Sequence, residues 1–352
     1  IRLSETSSPA ATVINTSGYG MNPDVAGKSP GRFIDAENFD SIDVEHNYLE
    51  GTAGIYLLNY AGDHSAADTV TIQYNQAKNI DGRKSDGNGG WDNFNTRTNK
   101  STGKTEDGMD LVQFVQFDKV TGVAGVQIAW NQVVNEPGNS RVEDNISIYK
   151  SSGTASSPIN IHDNYIQGAY TINPAQGDTG DGTYNYDWSF SGGGIMLGDG
   201  VGNSGDGSDP AYVIAHNNTV ISTTNYGIAI SAGHDMSFYD NTIVSSGLTP
   251  SGQKIQNQNV GGYVWDSYGA GSSHFYNDSA HDNTIGWVQG SGRNDWWSPV
   301  SGAMPNNTHM SATPTLATEQ SEFTAWQARL TTPVGPTTTP TPPTTPTDPT
   351  PP

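Results

Sequence analysis

Apolar residues along the chain fall in short runs at every second position, and most runs are closed by an asparagine. The recurring unit is apolar-x-apolar-x-x-Asn-x-apolar. It reads Ile42-Val44-Asn47-Leu49, Val70-Ile72-Asn75-Ala77 and Val126-Ile128-Asn131-Val133. It returns as Ile159-Ile161-Asn164-Ile166, Val213-Ala215-Asn218-Val220 and Met236-Phe238-Asn241-Ile243, with a weaker copy at Ala280-Asn283-Ile285. Alternation at period two predicts short strands with one buried face. An Asn at the corner between strands tolerates a left-handed turn, and its amide can bond the equivalent Asn of the next repeat. A second unit opens with glycine: Gly54-Ile55-Tyr56-Leu57, Gly194-Ile195-Met196-Leu197, Gly227-Ile228-Ala229-Ile230 and Gly262-Tyr263-Val264-Trp265. Copies of the Asn unit lie 23 residues apart or more, so the larger gaps hold two rungs or one rung with an inserted loop. Near the end, Phe323, Trp326 and Leu330 sit at helical spacing. They predict a short amphipathic helix over 318–330, with Thr318 as N-cap, closing the last rung.

Self-similarity of this kind predicts an all-β solenoid: a single-stranded, right-handed parallel β-helix with polar insertions at 79–109, 134–145, 173–193 and 199–210. An antiparallel sandwich is the alternative. The repeats resemble those of the pectin-lyase-like superfamily over roughly residues 33–288. That resemblance implies a fold shared by polysaccharide lyases, glycoside hydrolases, uronan epimerases, tailspikes and adhesins, so it narrows the function without deciding it. The β-helix domain is expected over 1–330, lacking its first rungs. Residues 331–352 are almost entirely Thr and Pro and predict a disordered linker to a further module. The linker is similar to those that tether modules of secreted carbohydrate-active enzymes, or to a wall spacer.

Composition supports thin rungs over a broad helical core, since hydrophobic residues are only 33% of the chain, beside 42 Gly and 16 Tyr. A formal charge of −21 argues against nucleic acid or an anionic membrane as partner. No apolar run reaches the length of a membrane span. With no cysteine, disulfides and thiolate metal sites are excluded. Acidity, Asn/Gly/Thr/Ser richness and the Thr/Pro tail together predict an extracellular, monomeric protein whose partner is a polysaccharide.

Candidate chemistry follows from stacking. Aligning the glycine-led strands puts Asp199 just past one, Ser231 and Ala232 past the next, and Asp266 past a third. At a rung spacing of about 4.8 Å, Asp199 and Asp266 would be about 9–10 Å apart, compatible with an acid and a base flanking a water. His234-Asp235 lies between them as a proton-transfer or orienting pair. Trp265, Trp287 and Trp296-Trp297 could supply platforms for sugar rings. Asp199 and Asp235 also fit ordinary turn residues. A second cluster holds Glu136, a candidate acid or base, and Arg141, a candidate substrate clamp. Arg141 could equally pair with Glu143 or Asp144 to hold the loop. His46, His162, His216 and His281 stand one or two residues before a turn Asn; expected on non-adjacent rungs, they do not suggest a metal file. Asp178, Asp181 and Asp187, and then Asp199, Asp206 and Asp209, lie in Asp/Gly loops whose hard oxygens suit calcium.

Residues 151–253 carry no Lys or Arg but nine Asp, which favours a neutral polymer over a uronic-acid one at the central rungs. The leading expectation is therefore a glycoside hydrolase of a neutral polysaccharide. The alternatives are a calcium-assisted lyase or epimerase of a uronic-acid polymer, using Arg141, and a glycan-binding adhesin that cleaves nothing.

Overall fold

The computed structural model describes residues 1–4, 10–65, 67–91, 97–98, 105–106, 109–171, 192–202, 209–256 and 258–337. Among them the chain winds into a parallel β-helix. Each rung contributes one strand to each of three sheets, which form the faces of a prism. Sheet A runs through Arg2–Ser4, Ile34–Phe39, Ile55–Tyr60, Val115–Asp118, Asp144–Tyr149, Gly193–Asp199, Tyr226–Ile230, Val260–Val264 and Trp296–Trp297. Sheet B runs from Ala10–Ile14 to Ser279–His281, and sheet C from Ser17–Tyr19 to Thr284–Gln289, with Thr308–His309 beyond it. Neighbouring strands within these stacks are parallel; an antiparallel hairpin, Gln289 opposite Gly292, ends sheet C.

Alternation explains how so apolar-poor a chain builds a core. In sheet A the inward file Ile34, Ile55, Val115, Ile146, Ile195 and Ile228 is in register rung by rung and wholly buried. In sheet C the file is Leu49, Ala77, Val133, Ile166, Val220, Ile243 and Ile285. Each rung adds only a few such side chains, so the core is narrow and long.

Asparagine sets the corner between sheets B and C. Nδ2 of Asn47 donates to Oδ1 of Asn75, and the same bond repeats through Asn131, Asn164, Asn218, Asn241, Asn283 and Asn307 at 2.9–3.0 Å. Each of the larger gaps between copies is thus one rung with an insertion, not two rungs. The left-handed residue is not the Asn, as expected, but the one before it. His46, Tyr74, Trp130, Asp163, Asn217, Asp240, Asp282 and Asn306 all have φ of 53–59°, as does Asn15 ahead of Thr16 at the first corner. Swinging that residue left-handed turns the Asn side chain inward, where the amide ladder is dry. The ladder then offsets the cost of left-handed Tyr74 and Trp130.

The C-terminal helix, α1, spans Leu316–Arg329. Its N-cap is Thr315, three residues before the expected Thr318, which instead occupies N3 of a capping box. It does not close the last rung. It lies on the outer face of sheet C, where Trp326 packs with Tyr165, Ile221 and Val244. The Trp326 indole donates to the Asp163 carbonyl at 2.7 Å, and Glu319 accepts from the Ser222 hydroxyl and the Ser246 amide. Residues 331–337, expected in the disordered linker, continue this strap toward the first rung. Gly335 N–H donates to the Tyr74 carbonyl and Thr337 to Asn15 Oδ1. The tail 338–352 lies outside the described residues.

Candidate functional site

Outward positions of sheet A gather the carboxylates. Asp35, Tyr56, Gln116, Ser147, Met196, Ala229, Tyr263 and Trp297 form one file along the axis. Asp118, Tyr149 and Asp199 form a second on successive rungs. A third runs through Asp144, Gly193, Tyr226 and Val260.

The third file shows why the sequence alternates size there. A Cβ on Gly193 would meet the Tyr226 ring at 2.1 Å. Glycine leaves room for that ring to cross a whole rung and donate its hydroxyl proton to Asp144 Oδ1. Asp144 also accepts from Gly193 N–H at 3.2 Å. Burial pushes the Asp144 carboxyl up, against the Tyr226 bond, and the nearby Asp199 charge adds to the rise. The adjacent Glu143 accepts from Gln113 Nε2 at 2.6 Å. Its carboxyl is also pushed up, by burial first and then by the charges of Asp144 and Asp199; Gln113 and Arg141 oppose this. Asp144 is buried, whereas Glu143 keeps some surface exposed. Asp199 accepts from the Tyr268 hydroxyl at 2.5 Å, and Tyr263 shares a 2.7 Å hydrogen bond with Ser231. Past Asp199, Trp265, Tyr268 and Trp297 are exposed, with the two indoles edge-on at 5.5 Å. One face thus carries two carboxyls pushed up by burial, Asp199 and a patch of exposed aromatic rings.

The strands led by Gly194, Gly227 and Gly262 do occupy successive rungs, but Asp199 and Asp266 make different contacts. Both Asp266 oxygens accept from the backbone of their own loop, at Ala270 and Gly271; Asp266 is a loop cap. His234 does bond Asp235, at 2.8 Å. The same geometry recurs at His162–Asp163 and His281–Asp282, so the pair belongs to a left-handed corner pattern and is not special to one site. His234 is stacked on Tyr276 at 4.5 Å.

Arg141 is completely buried and is not held out toward solvent as a clamp; Glu136 keeps its side chain partly exposed while engaged by Asn79, Asn139 and Lys78. Trp287 is wholly buried and presents no platform, Trp296 is stacked on His309 at 4.1 Å, and Trp265 is exposed as a platform would be. His162 and His216 lie on adjacent rungs, contrary to expectation, and with Tyr239 and His281 they stack at 5.2 Å. Asp178, Asp181, Asp187 and Asp206 fall outside the described residues. Asp209 bonds His274 and the Gly202 amide. Among the described residues no group of three or more acidic or histidine side chains is placed to hold a metal.

Sequence reasoning named Glu143 and Asp144 only as partners of Arg141, and missed Tyr226, Tyr263 and Tyr268. The available signal was the pair Gly193-Gly194 aligned above Tyr226-Gly227: a glycine beneath an outward tyrosine marks a ring lying flat across a rung. No protein-family model, no curated protein and no solved structure matches this chain.

Proposed function

We propose that the outer face of sheet A binds and hydrolyses a neutral polysaccharide, in an extracellular enzyme of the pectin-lyase-like kind. The observation that carries this reading is the raised Glu143 carboxyl beside the buried Asp144–Tyr226 pair, on the same face as Asp199 and the exposed Trp265 and Trp297. A carboxyl that keeps its proton near neutrality can protonate a leaving glycosidic oxygen. Glu143 is the group with access, so it takes the role of general acid. Asp144 is a positioning residue: its proximity holds the Glu143 proton on, and Tyr226 fixes its own rotamer. Asp199, oriented by Tyr268, is the partner base that activates water or the nucleophile that attacks the anomeric carbon. The exposed indoles offer faces on which sugar rings stack.

A second reading has its own observation. Lys119 and Lys150 follow Asp118 and Tyr149 at the ends of successive sheet-A strands, and Lys150 Nζ lies 5.7 Å from the Tyr149 ring centre. Cations there suit a uronic-acid polymer, and a calcium-assisted lyase or epimerase would use them.

The deciding experiment incubates the protein with neutral and acidic polysaccharides, with and without calcium, and follows reducing ends and unsaturated-uronate absorbance together. Hydrolysis predicts reducing ends without unsaturation, and their loss in both Glu143→Gln and Asp199→Asn. Unsaturated product selects the lyase. Binding of a polymer with no product of either kind overturns the enzyme reading in favour of an adhesin.

A further inference from the structure

We infer that residues 338–352, which lie outside the described residues, dock against the first rung as a polyproline II helix and cap that end of the prism. Prolines stand at 340, 343, 346, 349 and 352, every third position without a break. A polyproline II helix has three residues per turn, so these prolines form one apolar ridge along it. Ridges of this kind are bound in grooves lined by aromatic rings.

The first rung offers such a groove. An open cavity of about 500 Å³ is walled by Tyr19, Met21, Pro23 and Phe33. Tyr19 is 57% exposed and Met21 78%, so these walls are reachable from solvent. The ring of Tyr48, one rung on, stands 5.7 Å from that of Tyr19 and extends the aromatic surface. Gly18 holds the inward position that Leu49 and Ala77 hold on the next two rungs, and a Cβ there would meet the Phe33 ring at 2.4 Å. Glycine thus leaves that ring at the base of the cavity.

The backbone around the cavity is also unpaired. The Thr16 carbonyl accepts from the Tyr48 N–H and the Gly20 N–H donates to the Glu50 carbonyl, both toward the second rung. In a parallel ladder the residues between them, Ser17 and Tyr19, turn their N–H and C=O groups the other way. Ser17–Tyr19 is the end strand of its sheet, so among the described residues no strand meets those groups. A polyproline II segment makes no internal hydrogen bonds, and its carbonyls are free to accept from them. Its one charge, Asp348, is opposite in sign to Arg32 in the cavity wall.

Position selects this occupant over a second copy of the chain. Thr337 is held on Asn15 Oδ1 by its N–H and its hydroxyl, each at 2.9 Å, and the next residues after Asn15, Thr16 and Ser17, line the cavity. From that point the segment reaches about 46 Å at about 3.1 Å per residue. Tethering holds it there at an effective concentration on the order of millimolar. Bare strand edges invite pairing with other chains, and a proline-rich cover prevents it. None of this depends on how the sheet-A face is read.

The chain has no cysteine, so Thr350→Cys in the full chain takes a single nitroxide label. Methyl NMR of isotope-labelled methionine then reads proximity. The oxidised label is expected to weaken the Met21 signal tenfold or more and to leave Met196 and Met236, several rungs away, unchanged. Adding Pro343→Ser, Pro346→Ser and Pro349→Ser removes the ridge and should restore Met21. Pro342→Ser with Pro351→Ser, off the ridge, should not. An undiminished Met21 signal in the labelled chain overturns the proposal. So does equal recovery with both proline sets, the mark of a tail that is tethered but unbound. Weakening of Met21 in isotope-labelled protein that carries no nitroxide, when mixed with nitroxide-labelled protein, also overturns it and gives the site to a second copy.

Discussion

Replacing Asn131 by Ala removes one link from the middle of the amide ladder, and the structure fixes what is lost. Asn131 Nδ2 donates to the Ile72 carbonyl and to Asn164 Oδ1, each at 2.9 Å. Its Oδ1 accepts from the Asn75 amide at 3.0 Å and from Asn75 Nδ2 at 2.9 Å. Four buried bonds at a net of about 1 kcal/mol each come to about 4 kcal/mol. Asn75 Nδ2 keeps a bond to the Val44 carbonyl, but the backbone N–H of Asn75 loses its acceptor, so the estimate is not inflated. Asn307, the far end of the ladder, is only partly buried, and Asn307→Ala should cost about 1–2 kcal/mol. Asn131→Asp keeps the accepting oxygen, loses both donors and faces Asn164 Oδ1 with a charge, so it should be at least as harmful as Ala. Urea titrations followed by tryptophan fluorescence measure all three, with stability read from the midpoint at unchanged slope. A loss below about 1 kcal/mol for Asn131→Ala, or equal losses at Asn131 and Asn307, would refute a dry, cooperative ladder.

Gly193→Ala should displace the Tyr226 ring and break its bond to Asp144, costing about 1–3 kcal/mol; a melting temperature equal to that of the parent would contradict the close approach. Raised carboxyls at Asp144, Glu143 and Asp278, the last pushed up to about 8 by burial, bind protons more tightly folded than unfolded. Their contribution is complete below the unfolded carboxylate range and falls as pH rises through the folded values, so the melting temperature should drop between pH 5 and pH 8. Asp278→Asn should flatten that slope, and an unchanged slope would mean Asp278 is already ionised. Trp326→Ala should weaken α1 docking by about 3–5 kcal/mol and make residues 316–337 accessible to protease before the sheets unfold; resistance equal to the parent would place the anchor elsewhere.

The architecture was legible because period-two alternation and Asn recur at every B–C corner after the first, and each Asn has the same work in its rung. Rung boundaries were harder, since insertions vary in length while leaving the ladder intact; this is why His162 and His216 were expected apart. The docking of α1 on sheet C was hidden because an amphipathic helix encodes an apolar face but not its address. The proton-holding pair was hidden by distance. Asp144 meets Tyr226 across 82 residues of chain and one intervening rung, whereas Arg141, three residues away, offered a nearer and less informative partner. Asp266 shows the local competition: a short polar side chain near glycines bonds its own loop, here at Ala270 and Gly271.

The strap formed by α1 and residues 330–337 gives the molecule a mechanical polarity. Thr337 is fastened at Asn15 on the first rung, Gly335 at Tyr74, Arg329 at Asp163 and Asn217, and Glu319 at Ser222 and Ser246 farther along. A pull on Thr337 directed outward past the first rung stretches these fastenings together, in shear, and shares the load along most of the prism. The same pull directed back toward the last rung lifts them singly, beginning at Asn15, like a strip of tape raised from one end. Tension applied at this point is therefore resisted strongly in one direction and released in small steps in the other.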